Sequence, residues 1–217
     1  MKAVIFDKDG VLSETFDIHA KAHLKVLADH DVKATKEDVA KKYGMLTSEI
    51  LKEIMEDYGK KITEETAKKM AIEKDKIYLK LAEKELKLLP GVKEMLEYLK
   101  NKGYKIGLAS SSSPGSIQQI LRVTNIKKFF DATISGWDIK KGKPNPDIFL
   151  ECAKKLKVKA RECVVVEDSV YGIEAAKKAG MKCIAVATGQ HTLEELQKMK
   201  PDWLLNTLEE FNNIEEL

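Results

Sequence analysis

Short apolar, β-branched runs recur along this chain, and helical patterns separate most of them. The runs occupy residues 2–6, 105–109, 132–135, 163–167 and 183–187, with a shorter sixth at 202–205. Helical patterns cover 114–123, 147–156, 170–179 and 192–199, and Gly180 is placed as a helix stop. Nearly continuous apolar content at 164–166 and 184–187 marks strands covered on both faces. Strand, helix and strand repeated in this way predict an α/β fold, a doubly wound parallel sheet wrapped by helices.

The rhythm breaks once. From about residue 16 to residue 88 there is no strand pattern, and helical patterns fill 17–28, 36–43, 48–58 and 64–86. Thr35 with Asp38 reads as a capping box, and Thr63 precedes Glu64 and Glu65 at another helix start. The 217 residues suffice for one large domain with a smaller companion. The expected division is a Rossmann-like core, residues 1–14 and 89–217, with an inserted α-helical cap domain at 15–88. Entry near 13–15 and exit near 89–91 would form a two-strand hinge.

Composition excludes several partners. Lys plus Arg is 38 against 35 Asp plus Glu, a net charge of only +3, and the lysines are interspersed with glutamates. No nucleic acid or membrane partner is expected from such a surface. No apolar run reaches the roughly 18 residues of a membrane span, and the first run is too short for a signal-peptide core. Cys152, Cys163 and Cys183 form no CxxC pair, which points to reduced buried thiols and a cytoplasmic location. Oligomeric state is left open, with a monomer favoured.

In a parallel α/β sheet, ligands bind beyond the carboxyl ends of the strands. Asp7-Lys8-Asp9-Gly10-Val11-Leu12 follows the first run, and Ser110-Ser111-Ser112-Ser113-Pro114 follows the second. Lys141-Gly142-Lys143-Pro144 comes after the third, and Glu167-Asp168-Ser169 closes the fourth. Residues two apart in extended chain project to one side, so Asp7 and Asp9 can address one site, with Glu167 and Asp168 nearby. Two carboxylates 4 Å apart repel by about 4 kcal/mol at an effective dielectric near 20. A hard dication relieves this, and an oxygen-only donor set favours Mg²⁺ over Zn²⁺.

The other side of the site suits an anion. Ser110 offers a hydroxyl, and the amides from Ser111 to Ser113 can cradle a phosphate. Pro114 opens a helix whose amino end favours negative charge. Lys143 supplies a point charge. No GxxxxGK[ST] loop and no GxGxxG is present. Taken singly, these segments also read as an acid turn, a flexible loop, a solvated lysine and a helix cap. Their arrival at one sheet edge makes a phosphoryl site.

These residues resemble the haloacid dehalogenase-like superfamily of phosphotransferases. The resemblance rests on Asp7-Lys8-Asp9-Gly10-Val11-Leu12, Ser110, Lys143-Pro144 and Glu167-Asp168, in family order, and covers essentially the whole chain. The helical insert after the first motif, and Gly172-Ile173-Glu174-Ala175-Ala176, look like the subgroup of phosphoglycolate phosphatases and β-phosphoglucomutases. The resemblance implies that Asp7 is the nucleophile and forms an aspartyl-phosphate. It implies that Asp9 is general acid and then base, with its backbone carbonyl on the metal. Ser110, Ser111 and Lys143 would hold the phosphoryl group. Asp7, Asp9 and Asp168 would bind Mg²⁺, with Glu167 either on the metal or behind it. The implied substrate is a small phosphorylated molecule.

Asp9 argues against the family's dehalogenases and phosphonatases, which lack an acid there. A sugar phosphomutase is the nearer alternative. His19 and Lys74 match β-phosphoglucomutase at cap-side positions, but Thr47 stands where the mutase has a phosphate-gripping arginine and Pro114 where it has an asparagine. Water is therefore the favoured acceptor. An inactive phosphate- and Mg²⁺-binding module is the alternative of another class. Around the site, His19 and His23 read as one buried and one solvent-facing side chain. Trp137 reads as packing, Tyr43, Met45 and Leu46 as a loop over the substrate or a helix link, and Met55 and Met70 as core.

Overall fold

The computed structural model describes residues 1–214; the last three positions of the expected core lie outside the described residues. Six strands form one parallel sheet: β1 (Ala3–Phe6), β2 (Lys105–Ser110), β3 (Ala132–Ser135), β4 (Cys163–Glu167), β5 (Lys182–Val186) and β6 (Trp203–Leu205). Their order is β3-β2-β1-β4-β5-β6. The order reverses at β1, so the crevice beyond β1 and β4 is the topological switch point where such sheets bind ligands.

Alternation along each strand feeds two cores. Val4 and Phe6, Val164 and Val166, and Ile184 and Val186 face one layer. Ala3 and Ile5, Cys163 and Val165, and Cys183 and Ala185 face the other. Helices α5 (Val92–Asn101) and α6 (Pro114–Val123) cover the first face, and α7 (Asp147–Leu156) and α8 (Val170–Lys178) the second. α5 has no counterpart among the expected helices. Its Val92, Met95, Leu96 and Leu99 have helical spacing and are fully buried, directly after the Leu89-Pro90-Gly91 punctuation.

Between β1 and α5 lie α1 (Phe16–Asp29), α2 (Lys36–Ala40), α3 (Thr47–Asp57) and α4 (Glu64–Ala82). Thr35 and Asp38 form the capping box, and Thr63 caps α4 through the amide of Thr66 at 3.2 Å. These helices share their own core, which includes Met55 and Met70. The inner halves of α1 and α4 belong elsewhere: Ile18, Ala22, Tyr78 and Ala82 join the sheet-side core. The insert is thus anchored by apolar packing at one end. A further short helix, α9 (Leu193–Lys198), precedes β6. No helix among the described residues is long and apolar enough to cross a membrane.

Candidate active site

The loops after β1, β2, β3 and β4 converge on one cavity. Asp7, Asp9, Ser110, Ser111, Ser112, Lys143, Asp168 and Ser169 line its floor, and His19, Tyr43, Gly44, Met45 and Thr47 of the insert line its roof. It encloses about 30 Å³, room for a water or two. A groove of about 930 Å³ adjoins it and shares Met45, Thr47, Ser111 and Lys143. Trp137, which the sequence suggests as packing, is 59% exposed and lines this groove.

Lys143 is buried and donates to Asp7 Oδ1 at 2.6 Å and to Glu167 Oε1. The remaining Glu167 oxygen accepts from the Asp168 and Ser169 amides at 3.0 and 3.1 Å and from Ser169 Oγ at 2.9 Å. Glu167 is therefore saturated by donors. Ser169, rather than either acid, caps α8 by accepting from the Gly172 amide at 3.0 Å. Gly172 is required here, because a Cβ would run into the Glu167 carboxylate. Asp7 Oδ2 accepts from the Asp9 amide at 3.0 Å.

The acids differ in charge state. Burial pushes Asp7 up to about 7, with Lys143 opposing and Glu167 and Asp9 adding to the rise. Burial, then Glu167 and Asp7, hold Asp168 well above the usual carboxylate range. Burial also works against ionised Asp9, but the Lys8 charge, aided by the His19 contact, outweighs it and keeps Asp9 well below that range. Asp168 Oδ2 is buried without a hydrogen-bond partner. Gly10, at φ 76°, and Gly189 leave room for it; a Cβ on either would strike that carboxylate. An unpartnered carboxylate oxygen beside a second raised carboxylate is a place for a hard cation. No cluster of three or more His, Cys, Asp or Glu side chains suited to a metal occurs among the described residues. Mg²⁺ commonly needs only one or two carboxylates and keeps waters or substrate oxygens for the rest, so this donor set fits it.

Ser110 Oγ accepts from the Ser112 amide at 3.1 Å, while Ser111 Oγ donates to the Gly44 carbonyl of the insert at 2.9 Å. Both histidines of α1 are buried, unlike the one-in, one-out reading. The His23 Nδ1–H donates to the His19 backbone carbonyl at 2.8 Å, which ties the His23 ring within the insert. The His19 ring stacks on Tyr78 with centroids 4.0 Å apart. Its Nε2 lies 3.1 Å from Asp9 Oδ1, and its Nδ1 accepts from Lys74 at 2.5 Å. Burial and the neighbouring Lys74 lower the His19 pKa to about 3, so the ring is neutral.

Motif reading missed Lys8, Thr15 and Ser112, all of which hold Asp9. For Lys8, alternation points away from the two acids. For Ser112, a run of four serines gives no reason to prefer one.

A doubly wound parallel sheet, with acids, hydroxyls and a lysine at its switch point beneath a helical insert, defines an α/β enzyme with its site at the strand ends. Residues 4–186 match the model of the haloacid dehalogenase-like hydrolase family, and the chain belongs to that family. A phosphorylated carbohydrates phosphatase of Thermotoga maritima is 35% identical over 97% of this chain and 99% of its own length. A β-phosphoglucomutase of Bacillus subtilis is 37% identical over 89% of this chain and 86% of its own. The crystal structure of a β-phosphoglucomutase from Clostridium difficile superposes with a TM-score of 0.86 at 30% identity, covering 99% of this chain and 93% of the other.

Proposed function

We propose that this chain is a Mg²⁺-dependent phosphatase of small phosphate monoesters, working through a phosphorylated Asp7. The observation that carries this reading is the meeting of Asp7, Ser110, Lys143 and Asp168 in one cavity. The core, residues 1–14 and 89–217, supplies the chemistry, and the insert at 15–88 acts as the cap that admits the leaving group. The enclosed volume is too small for a monoester, so the cap lifts to admit it.

Asp7 Oδ1 attacks phosphorus, and the bond from phosphorus to the ester oxygen breaks. Asp9, ionised beside Lys8 in the closed cavity, must take up a proton as the ester binds and then gives it to the departing oxygen. Asp9, now ionised, takes a proton from water, which attacks the phosphoaspartate and frees inorganic phosphate. Lys143 and the loop from Ser110 offset charge on the phosphoryl oxygens. Asp7, Asp168 and the Asp9 backbone carbonyl would hold Mg²⁺. The bound ion would screen the repulsion between an anionic nucleophile and an anionic phosphate. Saturated as it is, Glu167 takes the supporting role: it orients Lys143. The three free, buried cysteines fit a reducing, cytoplasmic setting.

Hydrolysis is favoured over mutase chemistry because, among the described residues, no arginine lines the cavity or the adjoining groove. A mutase must hold a second phosphate while its intermediate turns over. The test is phosphate release from a panel of sugar, polyol, nucleotide and short-acid phosphates, with Asp7→Asn as control. Release that depends on Asp7 is the expected result. Faster isomerisation of hexose phosphates than phosphate release would replace the phosphatase by the mutase.

A further inference from the structure

Lys8 stands between the two catalytic acids, where it has no place in the chemistry described so far. Its side chain is fully buried. Its amine lies 2.5 Å from Asp9 Oδ1, donates to Ser116 Oγ at 2.9 Å and to the Tyr78 hydroxyl at 3.3 Å, and sits 5.1 Å from the Tyr78 ring centre. These contacts come from three elements: the loop after β1, the first turn of α6, and the inner half of α4. The chain turns at Gly10, with φ 76°, and the amine curls back under Asp9.

Asp9 is held from several sides. Thr15 Oγ1 donates to Oδ1 at 2.5 Å, the neutral His19 lies 3.1 Å from the same oxygen, and Ser112 Oγ donates to Oδ2 at 2.7 Å. Among these contacts only Lys8 brings a full positive charge, and it alone ties Asp9 to both α4 and α6.

We infer that Lys8 is a positioning residue for the leaving-group step: it fixes the Asp9 carboxylate in one orientation by bridging it to Tyr78 and Ser116. It also faces the negative charge that remains on Asp9 once the proton has left. The inference rests on Asp9 as the acid. A lysine that served stability alone would slow all esters equally when removed. One that acts through Asp9 matters most for esters whose leaving oxygen needs the proton.

The experiment compares phenyl phosphate with 4-nitrophenyl phosphate, two esters of similar shape, of which the second needs far less help to leave. Leaving-group release is followed in a single turnover on the full chain with Mg²⁺. Relative to the unaltered protein, Asp9→Asn and Lys8→Met should each raise the preference for the nitrophenyl ester, by about tenfold or more. If Asp9→Asn leaves the preference unchanged, the acid reading itself fails. If Asp9→Asn raises it and Lys8→Met does not, Lys8 is overturned and Asp9 stands. Should Lys8→Met not fold, the double variant Tyr78→Phe/Ser116→Ala, which keeps the amine and removes its anchors, decides. A rise of about threefold supports the bridge, and no change overturns it.

Discussion

Lys74 offers the sharpest test of the electrostatics around the site. The residue is buried, 3% exposed, and the polar partner of its amine is the neutral His19 ring rather than a carboxylate. Burial, opposed by Asp9 and reinforced by Lys8, lowers its pKa from 10.5 to about 7. The folded-state value lies below the unfolded one, so between pH 7 and 10.5 the unfolded chain binds more protons. Stability therefore rises with pH across that window, by about 1.4 kcal/mol per pH unit and by about 5 kcal/mol in all. Below pH 7 both states carry the proton and the full cost is present. Lys74→Met removes the charge and keeps the length of the side chain. The variant should be more stable than the unaltered protein near neutrality, by about 2 to 5 kcal/mol, with the gap closing toward about pH 10. Urea unfolding of both proteins at several pH values measures the gap. Two parallel curves would refute the reasoning.

Other consequences are as direct. Gly172→Ala drives a methyl into Glu167; it should cost about 1–3 kcal/mol in denaturant unfolding and lower phosphate release, because Glu167 orients Lys143. A normal rate in that variant would detach Glu167 from the site. Asp168→Asn should raise the melting temperature of the metal-free protein, by removing a carboxyl whose ionisation is opposed by burial and then by Glu167 and Asp7. It should also raise the Mg²⁺ concentration giving half-maximal activity by about 10-fold or more; an unchanged Mg²⁺ titration would remove Asp168 as a ligand. Chelation by EDTA should stop turnover without unfolding the chain, as circular dichroism would show, and Mg²⁺ should restore it.

The central strands were the most legible, because β1 and β4 are apolar runs buried along their whole length. So were the four loops, since strand direction in such a sheet sends every chemical group to one edge. The missing α5 shows the limit: Val92 to Asn101 is amphipathic, but it follows the hinge punctuation at once and has no strand before it. Lys8 shows a deeper one. Period-two alternation holds only while the chain is extended, and the chain leaves β1 at Phe6 and turns at Gly10. A side chain in that bend goes where its charge is paired, not where the pleat would aim it. The one-in, one-out reading of His19 and His23 failed for a related reason. Two histidines four apart share one helix face, so a face turned toward Asp9 buries both.

The insert is held to the core in two different ways. Along α1 and α4, Ile18, Ala22, Tyr78 and Ala82 pack into the sheet-side core, where separation would expose apolar surface to water. On the far side Leu46 packs against Gly136 and Gly142, and hydrogen bonds add to that contact. Ser111 donates to Gly44 O, Tyr171 to Lys41 O at 3.0 Å, and the Gly142 amide to Glu49 at 3.3 Å. Water can replace each of these at little net cost. The cheaper edge to part is thus the polar one, and that edge borders the wide groove rather than the sheet. A lift of the loop from Gly44 to Thr47 would join the groove to the cavity and leave the Lys8–Tyr78 bridge, on the apolar side, in place.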